Sequence, residues 1–84
     1  MKKLEMARRY YGEAIEVGGS TAHLEYGLAC VESLSGHPRE ALGRLEAAFK
    51  MGYNDFQTIT KDAALDSLRG LADFQILMHK YSSN

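Results

Sequence analysis

The sequence predicts an all-α chain built as a stack of antiparallel helical hairpins, and three observations predict it. Apolar residues recur three or four positions apart through most of the 84 residues, while strand-like alternation is nowhere sustained. Glycine, serine and proline break that periodicity at short intervals, as helix ends do, and short connections make neighbouring helices antiparallel. A set of residues in the first helical segment also recurs, with size and position kept, in the third.

The first segment, Lys3 to Val17, spaces Leu4, Ala7, Tyr11, Ala14 and Ile15 along one face and stops at Gly18-Gly19. Ser20 or Thr21 then caps a second helix carrying Leu24, Leu28, Ala29, Val31 and Leu34 as far as Ser35-Gly36. Pro38 suits a first helical turn, so a third helix starts there and runs through Ala41, Leu42, Leu45, Ala48 and Phe49 to Gly52. The last third is less regular. A short helix is expected over Tyr53 to Thr60, a brief turn capped by Asp62 over Ala63 to Leu65, and a final helix over Leu71 to Tyr81. Residues 82–84 read as a frayed, disordered tail.

The recurrence pairs Ala7, Tyr11, Ala14, Ile15 and Gly18 with Ala41, Leu45, Ala48, Phe49 and Gly52. Its interval, about 34 residues, is that of a helical-hairpin repeat. The alanines let helices approach, and the larger residues fill the space between them. Ala7 to Val17 resembles the second helix of a tetratricopeptide repeat (TPR). Leu28-Ala29, Gly36 and Glu40-Ala41-Leu42 resemble the next full unit, and Tyr26 to Cys30 with Leu45 to Tyr53 resemble closing repeats. Asp62, Leu65, Leu68-Arg69 and Phe74-Gln75 resemble the end of such an array. Glu32 departs from the pattern, standing where an aromatic residue is usual, and Leu71-Ala72-Asp73 replaces a proline-containing start.

The resemblance implies an α-solenoid of about five to six helices forming a single domain over residues 1–81. Residues 3–19 would be the second helix of one repeat, 20–52 a full repeat and 53–81 a divergent capping repeat. It further implies a module that binds another protein or peptide along the concave surface lined by each repeat's first helix. On that helix His23, Tyr26, Cys30 and Ser33 follow one stripe, distinct from Leu24, Leu28 and Val31. Gln57 and Lys61, four apart, extend the stripe on the shorter helix that follows. Packing against the neighbouring hairpin is the alternative for Tyr26 and the stronger reading for Cys30; solvated surface is the alternative for Gln57 and Lys61. Because the array begins on a second helix, self-assembly into a homo-oligomer, or docking onto further repeats, is the alternative function.

Other classes find little footing. TPR arrays that clamp acidic chaperone tails resemble one another in first-helix Lys, Asn and Arg, and this chain has His23, Tyr26, Gly27 and Cys30 instead. His23 and Cys30 lie two helical turns apart, about 10 Å, too far to share one metal ion, and no cofactor motif is present. An enzyme is not expected, since a short helical stack offers little pocket volume for a nucleophile and its base. Lys2, Lys3, Arg8 and Arg9 are offset by Glu5, Glu13 and Glu16, and the formal net charge is −1, so nucleic acid is not an expected partner. No apolar run suggests a signal peptide or membrane span, and a lone Cys30 fits a reducing compartment, read as cytoplasmic.

Overall fold

Helix ends are set by a few local backbone demands. A computed structural model of the chain describes residues 2–82. Helix α1, Lys2–Gly18, stops where Gly19 turns to φ +83° and its amide closes on the Ile15 carbonyl at 2.7 Å. Thr21 caps α2, Ala22–Leu34, its hydroxyl accepting from the Leu24 amide at 3.2 Å. Pro38 opens α3, Pro38–Lys50, which ends at Gly52 with φ +101°. Asp55 caps α4, Phe56–Lys61, by accepting from the Thr58 amide at 3.1 Å. Asp62 caps the 3-10 turn Ala63–Leu65, and α5, Asp66–Arg69, and α6, Ala72–Ser82, complete the described chain.

The fold is all-helical, with six α-helices among the described residues. Three expectations shift. The fourth helix starts at Phe56 rather than Tyr53, because Asp55 supplies the cap and Tyr53 is used for packing. The last helix takes in Ser82, whose hydroxyl donates to the Met78 carbonyl at 2.6 Å; Ser83 and Asn84 of the expected tail lie outside the described residues. The recurrence also slips at its end, since Gly18 is still helical and the left-handed residue matching Gly52 is Gly19.

The core lies where α2 and α3 pack and the C-terminal elements close over them. Ala29, Ala41, Leu45, Ile59, Leu65 and Leu68 are fully buried, joined by Phe49, Phe74 and Leu77. Burying each large side chain is worth about 1.5–3 kcal/mol. The repeat positions behave unequally. Ala41, Leu45, Ala48 and Phe49 are buried, but Ala7, Tyr11, Ala14 and Ile15 are half-buried, and no residue of α1 is fully enclosed. Helix α1 leans on α2, with the Tyr11 ring seated on Gly27; a Cβ there would sit 2.5 Å from the ring.

Polar links tie the helices. Buried Glu25 of α2 accepts from Arg44 of α3 at 3.1 Å and from Ser20 at 2.5 Å. Glu32, the departure from the repeat pattern, accepts from Arg8 of α1 at 2.7 Å and lies 3.1 Å from His37 Nδ1. Arg69 holds the C-terminal elements together, Nη2 donating to the Ile59 carbonyl at 2.8 Å and the Asp62 carbonyl at 2.6 Å, with Asp66 as its ion-pair partner.

Two outcomes test this packing. Ala at a helical glycine ordinarily gains about 0.5–1 kcal/mol, but Gly27→Ala must displace the Tyr11 ring. It is expected to destabilise the parent chain and to stabilise a Tyr11→Ala background, a sign change that a double-mutant cycle by urea unfolding reads directly. Arg69→Ala leaves two partly buried carbonyls without their donor and should lower stability by about 1–3 kcal/mol in the same measurement.

Candidate protein-binding groove

Five of the six residues predicted to bind a partner fall around one link between α2 and the turn after α4. Tyr26 points from the middle of α2 toward Asp62, its hydroxyl donating to Oδ2 at 2.5 Å. The ring lies flat on Tyr53, with centroids 4.5 Å apart and planes 6° from parallel. His23, one turn earlier, meets the edge of Tyr53 at 5.9 Å. Cys30, one turn later, lies 3.8 Å from the same Asp62 oxygen. Stacking and hydrogen bonding fix the Tyr26 ring in one orientation, with part of it still open to the surface.

Two depressions flank this link. The first, of about 450 Å³, runs between α1 and α2 and is lined by Tyr10, Tyr11, Leu24, Gly27, Val31 and Leu34, with His23, Tyr26 and Cys30 along its border. It is aromatic and aliphatic in character. The second, of about 430 Å³, is polar and lined by Asp55, Gln57, Thr58, Lys61 and Asp62. Tyr26 borders the first and Asp62 the second, so their hydrogen bond forms the shared rim.

His23, Tyr26 and Cys30 therefore line the apolar depression, and Gln57 and Lys61 the polar one. Ser33 stands apart. It is buried, and its hydroxyl lies 3.0 Å from Ser67 Oγ, so its polar group joins α2 to α5 instead of facing the groove. Tyr53 and Asp62, which orient Tyr26, escaped the sequence reading as groove residues. The signal for Tyr53 was faint, an aromatic just past a helix-ending glycine; Asp62 was recognised as a cap, and its second partner lies 36 residues away. Tyr10 and Leu34 also line the groove while largely exposed. A third depression, of about 430 Å³, lies between α3 and α6 beside Arg39, Glu46, Asp73, Ile76 and Lys80, where no site was expected.

The electrostatics support a positioning role for Asp62. The Tyr26 hydrogen bond holds its carboxyl below the usual aspartate range; partial burial opposes this, and the Ala64 amide, Cys30 and Arg69 reinforce it. Burial, followed by the bond to Asp62, pushes the Tyr26 hydroxyl up. Burial, then the Asp62 charge, pushes the Cys30 thiol up to about 11, which leaves it protonated and a poor nucleophile at neutral pH. Among the described residues no three His, Cys, Asp or Glu side chains converge as a metal ion requires.

No protein-family model matches the chain, and no solved structure matches it. The sequence is similar to a chloroplastic protein of Arabidopsis thaliana, with 36% identity over 59 residues. The matched stretch is 70% of this chain and 18% of the relative, so the chain spans less than a fifth of that protein's length.

The Asp62 link has a defined pH signature. Its folded carboxyl ionises more readily than the unfolded one, so its stabilisation is complete above the ordinary aspartate pKa, about 3.9, and is lost as pH falls through the depressed folded value. Tyr26→Phe is expected to cost about 1–3 kcal/mol at neutral pH, and the difference from the parent should shrink in acid. Urea unfolding across the acid range checks this; a difference that stays constant would mean Asp62 is not the partner.

Proposed function

We propose that the chain is a short TPR-like repeat unit that binds a peptide or helix of another protein, without catalysis or cofactor. The observation that carries this reading is the apolar depression between α1 and α2, bordered by an aromatic side chain whose orientation is fixed from behind by Asp62 and Tyr53. A rigid, half-exposed aromatic beside aliphatic surface is what interface anchors require, because little side-chain entropy remains to be lost on binding. The recurrence between α1 and α3 and the hairpin connections support the repeat assignment.

Two features favour protein over nucleic acid. Arg8 is engaged by Glu32 and the Tyr11 ring is seated on Gly27, and the other basic residues of α1, Lys2, Lys3 and Arg9, are offset by Glu5, Glu13 and Glu16 on the same helix. A protonated Cys30 favours binding over nucleophilic chemistry. Among the described residues no helix is long and apolar enough to cross a membrane. We place the chain in a reducing compartment, cytoplasmic or, by analogy with the Arabidopsis relative's name, chloroplastic.

Affinity capture with the 84-residue chain, followed by titration of the captured partner's peptides, tests the assignment. Leu34→Asp, at a largely exposed position, should weaken binding about tenfold or more with helical content retained. Amide shifts induced by the peptide should cluster on Leu24, Tyr26, Val31 and Leu34. Shifts confined to the α3–α6 depression would reassign the site to that face.

A further inference from the structure

We infer that the outer face of α1 is a self-complementary surface that pairs two copies of this chain, their α1 helices antiparallel. The inference shares Tyr10 with the lining of the groove but does not require the groove to hold a ligand.

Beside the face that α1 packs on α2 lies a second apolar stripe of Met6, Tyr10 and Val17, which are 68%, 65% and 90% exposed. The internal repeat shows that this stripe is not a product of helix packing within the molecule. One repeat on, the corresponding positions of α3 are Glu40, Arg44 and Met51, two of them charged. Glu40 is exposed and Arg44 reaches back to the buried Glu25 of α2, so the α3 arc is largely polar, whereas α1 carries Met6, Tyr10 and Val17 there.

Charge identifies what covers it. Lys2 and Lys3 lie at the N-terminal end of α1, Glu13 and Glu16 toward its C-terminal end, and none of the four makes an ion pair among the described residues. Apart from Glu5 in the first turn, this order opposes the helix macrodipole, which favours acids at the N-terminus and bases at the C-terminus. Reversing a second copy offsets the unfavourable placement of these four charges. Lys2 and Lys3 of each copy come opposite Glu13 and Glu16 of the other, the two macrodipoles oppose, and the Met6 and Tyr10 rows face each other across a two-fold axis. A parallel pair would set like charges together. One face of a helix about 25 Å long buries less than the ~800 Å² per partner of stable complexes, so the dimer is weak and depends on concentration.

Sedimentation equilibrium of the 84-residue chain at low salt, over a range of concentrations, reads the pairing. The expected mass rises from 9.3 kDa toward twice that value, and added salt lowers the association constant. Tyr10→Glu should give a monomer of unchanged helical content. Lys2→Glu with Lys3→Glu, and separately Glu13→Lys with Glu16→Lys, should each weaken association about tenfold. The four substitutions together should restore it, because they exchange the charges without changing their complementarity. Tyr26→Ala should leave the association constant unchanged. A parent chain monomeric at its highest soluble concentration, a dimer that survives Tyr10→Glu, or a fourfold variant no better than either pair would overturn the proposal.

Discussion

Asp62 is the residue on which the arrangement of this molecule turns. Its side chain caps the 3-10 turn through the Ala64 amide, receives the Tyr26 hydroxyl and lies beside the Cys30 sulfur. Its backbone carbonyl accepts from Arg69. One residue therefore fixes the turn after α4, the orientation of an aromatic ring on α2, and the attachment of α5. Removing its carboxylate would loosen the first two, because partly buried donors left without an acceptor cost more than the bonds contribute when made, while the third rests on its backbone carbonyl. The acidity of Asp62 records the same balance, with donors outweighing the effect of burial.

The groove gains its form from this hub and its depth from an omission. Gly27 lacks the side chain that would keep Tyr11 away from α2, so α1 settles against α2 at that point and leaves the depression beyond it. Around the depression the side chains are aromatic or aliphatic, whereas Gln57, Thr58 and Lys61 line the polar one beyond Asp62. An apolar depression and a polar one thus adjoin across the Tyr26–Asp62 rim.

Much of the helical plan was legible because caps and breaks act locally. Thr21, Pro38 and Asp62 each announce a boundary through the backbone groups they satisfy or lack. Where the start of α4 was misplaced, Asp55 was the overlooked cap, and Tyr53 looked helical only because its stacking partner lies 27 residues earlier. Helical spacing put His23, Tyr26 and Cys30 on one face, and all three line the depression, Tyr26 and Cys30 while also packing against the core, but the same stripe included Ser33, which packs inward. Spacing defines a face, and only the position of α5 decides how far along that face water reaches. Tyr26 with Asp62, and Glu25 with Arg44, are pairings between distant segments that no periodicity encodes.

The uneven burial of the two related helices also divides the chain by its tolerance of change. In α3 a substitution at Ala41, Leu45 or Ala48 meets packed atoms on every side, so the identity of each residue is tightly constrained. In α1 no residue is fully enclosed, and a change at an outward position meets only solvent or a visiting surface. Sequence drift at the outward positions of α1 would thus alter what the molecule encounters while leaving intact whether it folds.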